Sequence, residues 1–123
     1  MKRWHHYLSL PHEFGADPDD GVGCDCVVMV WNVLRDAGVE HPPYEPGWLE
    51  MAARGEWADL KAQWLERTVV CPQQEYALTL FDQPTQLGLG IIVDDGLLFP
   101  HHKRGVHWLP SRKVANLEYR TFR

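Results

Sequence analysis

Residues 15–23 read GADPDDGVG, residues 24–37 read CDCVVMVWNVLRDA, and Gly38 follows. The first stretch is turn chemistry throughout, because Gly, Pro and Asp each favour a reversal for their own backbone reason. The second changes character at once. Val27, Val30, Trp31 and Leu34 recur at helical spacing, and Val28, Met29 and Val33 widen the apolar surface. A helix apolar on most sides is a central one, and Gly38 suits a C-terminal cap. The sequence predicts a buried helix over 24–37, with a Gly-rich turn delivering Cys24 to its first turn.

Upstream, residues 4–10 form a short mixed segment ended by Pro11. Downstream, HPPYEP at 41–46 is a rigid connection, and two shorter helices are expected over 47–54 and 56–67. Trp57, Leu60, Trp64 and Leu65 give the second an apolar stripe. After Thr68 the chain breaks into short apolar runs at 69–71, 76–81, 89–93, 96–99 and 106–109, with an alternating tail at 117–122. Asp94-Asp95-Gly96 is a hairpin signal between two of them. Helices first and antiparallel strands second give an α+β fold, N-terminal helices packed on a C-terminal antiparallel sheet. With 123 residues and no repeat or linker, one domain over 1–123 is expected.

A content of 45% hydrophobic and 24% charged residues is that of a soluble globular chain. The net charge of −5, with no basic patch, argues against nucleic acid as a partner. No apolar run reaches the ~18 residues of a membrane span. The opening MKRWHHY lacks the apolar stretch of a signal peptide, so synthesis and folding in the cytoplasm are expected. Cys24, Cys26 and Cys71 are an odd number, which speaks against a closed disulfide framework. Six tryptophans fit either a core or an interface. Trp48, Trp57 and Trp64 could pack the two short helices on the core or form a docking surface.

A cysteine at a buried helix start is most often a small core residue. Its other use is chemical: free N–H groups and the helix dipole favour the thiolate there, and a nearby imidazole completes the nucleophile of papain-like enzymes. The wider pattern resembles the NlpC family of papain-like cell-wall peptidases. That family carries P-Y-x-x-G-G, a turn, then G-F-D-C-S-G-L-V. Here Pro11 to Ala16 reads PHEFGA and Gly21 to Val28 reads GVGCDCVV, with His12 at the tyrosine position and Cys24 at the cysteine. The family's H-V-G-I-Y strand, turn and F-x-H resemble Gly88 to Ile92, Asp94-Asp95-Gly96 and Leu98 to His101, followed by Gly105-Val106. The resemblance covers about residues 7–109, with 47–67 as an insertion, and is nearest to compact members encoded among phage tail genes.

The resemblance implies a papain-like fold and a site at Cys24, His12 and His101, with no cofactor. It also implies that the general-base position is Gly88, the residue before the cysteine is Gly23 and the glycine two residues after it is Cys26. Loss of a general base costs roughly 10²–10⁴-fold in rate. One expectation is that His12 partly replaces the base, oriented by His101. Three functions follow: a phage tail-tip component of impaired catalysis, held among other tail proteins in the virion; an active peptidoglycan endopeptidase that cuts stem peptides through Cys24 during genome delivery; and a metal-binding module. For the last, Cys24, Cys26, His12, His101 and His102 offer zinc ligands and Cys71 could join an iron–sulfur site. The C-x-C spacing is poor for it, because i and i+2 do not share a helix face. Asp17, Asp19 and Asp20 read as a solvated turn, since the calcium-loop pattern is incomplete.

Overall fold

The computed structural model describes residues 3–83, 86–114 and 116–123. The Met1-Lys2 start, part of the signal-peptide reading, lies outside the described residues. The α+β architecture is as expected. Among the described residues three α-helices, α1 (Cys26–Ala37), α2 (Gly47–Ala53) and α3 (Trp57–Arg67), precede six strands. The strands are β1 (Thr68–Cys71), β2 (Leu78–Gln83), β3 (Gln86–Val93), β4 (Gly96–His101), β5 (Gly105–Pro110) and β6 (Tyr119–Phe122). They form an antiparallel sheet in the order β1-β6-β2-β3-β4-β5. Among the described residues no helix is long and apolar enough to cross a membrane.

The central helix ends where the sequence says and starts later. Gly38 is left-handed at φ 72°. Its N–H bonds Arg35 O at 3.1 Å and the Val39 N–H bonds Leu34 O at 3.0 Å, the paired closure that needs a residue at positive φ. At the other end, helical residues begin at Cys26, not at Cys24. The reason is Asp25. Its backbone is extended, and its Oδ1 accepts from Val27 N at 2.8 Å and Val28 N at 3.2 Å. An aspartate so placed satisfies two of the N–H groups that a helix start leaves unpaired. Cys24 therefore belongs to the extended chain before the cap.

β3 supplies the floor on which α1 packs. Leu87, Leu89, Ile91 and Val93 join Met29, Val30 and Leu34 in the main core, as the two-residue repeat of a strand requires. Ile92 belongs to a smaller cluster with Ala77 and Leu97. Met29, Val30, Leu34, Leu89 and Ile91 are each at most 2% exposed, and burying such a side chain stabilises by about 1.5–3 kcal/mol. The Asp94-Asp95 hairpin forms as read, with both residues left-handed (φ 51° and 60°) and Val93 paired to Gly96.

The N-terminal segment ties the sheet edge to the start of α1. Ser9 N bonds Val106 O and Val106 N bonds Leu10 O, both at 2.9 Å. Gly105 permits this approach: at φ 78°, a Cβ there would sit 2.5 Å from Leu10 O. The chain then runs alongside residues 24 and 25. Cys24 N bonds Pro11 O at 2.9 Å, Glu13 N bonds Cys24 O at 3.0 Å, and Asp25 N bonds Ala16 O at 2.9 Å.

Candidate functional site

These bonds set His12 and Cys24 side by side in an isolated parallel bridge. Cys24 is fully buried, and its Sγ donates to Asp25 O at 3.6 Å. Burial, then the neighbouring Cys26, Asp25 and Asp17, push its thiol well above the ordinary range. His12 is half-buried and meets Phe14 edge-on at 5.0 Å. Burial lowers its pKa, Asp25 opposes the shift, and His102 adds to it.

His101 keeps different company. Its Nδ1 accepts from Lys103 N at 3.1 Å and Arg104 N at 3.2 Å, which sets the proton on Nε2 in the neutral ring. Its ring stacks on His102 at 4.5 Å and lies 6.0 Å from His107. Desolvation and the neighbouring cationic groups lower its pKa. The sequence sites thus fall into the backbone neighbours His12 and Cys24 and a cluster of imidazoles at the β4–β5 turn, of which His102 contributes to lowering the His12 pKa. Cys71 lies on β1 at the edge of the sheet, so it does not join the other two cysteines. Among the described residues no three His, Cys, Asp or Glu side chains are placed to hold one metal ion. The acidic turn is engaged within the protein: Asp17 Oδ1 accepts from Asn32 Nδ2 at 2.8 Å, and Asp19 accepts from Tyr7 and Arg35.

The cysteine that opens the helix is Cys26, not Cys24. It is the first residue of α1, directly after the Asp25 cap, and it belongs to the core shared with β3. The signal was present as an Asp immediately before an apolar helical run. The strand residues on the α1 side of β3 are Leu87 and Leu89. Gly88 alternates to the other face and pairs with Phe81 of β2. The motif position Gly88 thus lies on the face of β3 away from α1, and aliphatic side chains face the helix.

Over Cys26 the 47–67 segment forms a roof. Phe14, Tyr44, Trp48, Leu49, Trp57 and Leu87 line the pocket with it, and the cavity is only about 20 Å³. Among the described residues lining it there is no histidine. The rings lock edge to face: Trp31–Trp48 at 5.1 Å, Tyr44–Trp48 at 5.6 Å and Trp48–Trp64 at 5.9 Å. Such pairs add about 0.5–1.5 kcal/mol each beyond their burial. Phe14 closes the outer side against Trp57 at 5.9 Å. The tryptophans therefore pack the inserted helices on the core. Burial, then Asp25, raises the Cys26 pKa to about 12, and backbone hydrogen bonding from Leu89, Val27 and Cys26 itself opposes the shift. At pH 7 the Cys26 thiol therefore stays protonated to a greater extent than a free cysteine, of which a few per cent is ionised.

No protein-family model matches the chain, and no curated protein matches it.

Proposed function

We propose that this chain is a papain-like domain of the NlpC type whose cysteine site has been closed, retained as a structural component of a phage tail tip. The observation that carries this reading is the roofed pocket over Cys26, which no imidazole lines among the described residues. Asp25-Cys26 fits the D-C of the family's G-F-D-C motif two residues later than the Cys24 register, with Gly23 at its glycine. In that register the nucleophile position falls on the first helical residue, where papain-like chemistry uses it. The chemistry is then removed from three directions. Leu87 and Leu89 stand where a base would face the thiol, burial keeps the thiol protonated, and the aromatic roof leaves room for a water or two and none for a stem peptide.

A second reading, an active peptidoglycan endopeptidase using Cys24 with His12 and His101, is favoured by the pairing of His12 with Cys24 alone. The two readings separate on purified peptidoglycan. Closure predicts that the parent, Cys24→Ala and Cys26→Ala release no soluble muropeptide above the protein-free blank. Release by the parent that disappears in either variant would overturn it. Among tail proteins, the reading predicts stable incorporation of the Cys26→Ala chain into assembled particles at the level of the parent.

A further inference from the structure

A second cavity lies on the far end of α1, away from Cys26. It encloses about 280 Å³ between the 3₁₀ turn Arg3–Tyr7, the last turn of α1 and the Glu75-Tyr76 turn. That is close to the smallest pockets that hold small organic ligands, ~300 Å³. Its floor is aromatic and aliphatic: Trp4, Tyr7 and Val33 are 8%, 1% and 7% exposed. Tyr76 also lines it, half-buried, as do Asp36 and Glu75, which are exposed. We propose that this cavity binds an alkylammonium group, its carbon chain laid on the aromatic floor and its charged head between Asp36 and Glu75.

Four features support that ligand class. First, the walls combine three aromatic rings with two carboxylates, and cations are attracted both to ring faces and to carboxylates. Second, the combination of a buried apolar floor with exposed carboxylates fits a group with an apolar stem and a cationic tip. Third, further acidic groups lie close by. The Tyr7 hydroxyl donates to Asp19 at 2.5 Å, and burial, then Asp19, and more weakly Asp36, push its pKa up. Arg35, a cation on this side, is engaged with Asp19 at 3.1 Å and Asp36 at 3.0 Å. Fourth, Tyr76 holds φ 65°, a conformation that costs a bulky residue about 1–3 kcal/mol. Its N–H bonds Ile92 O at 2.7 Å and so fixes that turn at the cavity. Asp36 accepts from Arg35 Nε, and Glu75 Oε2 accepts from Asp94 N at 2.9 Å. A carboxylate accepts about four hydrogen bonds, so Glu75 can hold this donor and a ligand cation together.

The chemistry has two sources, a free aliphatic amine and a lysine side chain of a protein. The whole chain is titrated at pH 7 with n-butylammonium, with Nα-acetyl-lysine amide and with neutral n-butanol, following the Trp4 indole N–H by NMR and assigning it with Trp4→Phe. A saturable shift is expected for the cations, with a Kd of about 1 mM. The double variant Asp36→Asn/Glu75→Gln, whose changes sit at exposed residues, should weaken it roughly tenfold while the remaining spectrum stays folded. Tighter binding of the lysine amide assigns a protein side chain, and tighter binding of butylammonium a free amine. Absence of a saturable shift with both cations, equal binding of n-butanol, or unchanged binding by the double variant would overturn the proposal.

Discussion

Asp25 Oδ2 accepts a hydrogen bond from Gly15 N at 2.8 Å, so the carboxylate that caps α1 also anchors the turn that leads into it. The other oxygen holds Val27 and Val28. One buried side chain thereby fixes both where the helix begins and where the preceding loop lies. Replacing it frees three N–H groups together. Asp25→Ala is expected to cost about 2–3 kcal/mol in urea denaturation. Asp25→Asn, which retains a capping oxygen, should cost less than half as much. Equal losses for the two would mean that the cap is not the source of the stabilisation.

At Gly96 the limit is steric. A Cβ there would lie 2.3 Å from the Trp108 ring, whose Nε1 donates to Val93 O at 2.8 Å. Gly96→Ala forces the indole aside and should destabilise by about 1–3 kcal/mol. Trp108→Leu in the same chain should recover part of that loss, which a double-mutant cycle reads as a favourable coupling. Strict additivity would remove the contact from the account.

The buried thiols predict a dependence on alkaline pH. Cys24 and Cys26 are raised when folded, Cys26 to about 12, whereas unfolded thiols ionise from about pH 8.5. The unfolded chain therefore releases protons first. The stabilisation is complete below that pH and is lost as pH climbs toward the folded values. Between pH 7 and 10 each fully buried thiol should account for about 1–2 kcal/mol of lost stability. Cys26→Ala should flatten the decline by that amount, and an identical decline in the variant would contradict the assignment.

Much of this architecture was legible in the sequence because its signals are local. Gly38 ends α1, Asp94-Asp95 turns the hairpin, and the periodicity of 57–67 gives α3. The features that decide the site were less legible because they depend on register. Cys24 and Cys26 both follow a Gly-rich turn, and only the hydrogen bonds of Asp25 choose the second as the first helical residue. On β3 a slip of one residue exchanges faces, so a motif aligned on Gly88 points away from α1 while Leu87 and Leu89 face it. The fate of Trp48, Trp57 and Trp64 rested on contacts across the fold with Phe14, Trp31 and one another, which no local pattern specifies.

The closure of the cysteine site is tested most directly by the rate at which Cys26 is alkylated in the folded protein. Iodoacetamide at pH 7.5, followed by peptide mapping against time, separates the three cysteines. Cys71, partly exposed at the sheet edge, should react first. Cys26 should react at least ~100-fold more slowly than free cysteine and at a rate that rises with urea, since its thiolate is scarce and its pocket roofed. Alkylation of Cys26 in the native chain faster than free cysteine would show an activated, accessible nucleophile and contradict the account.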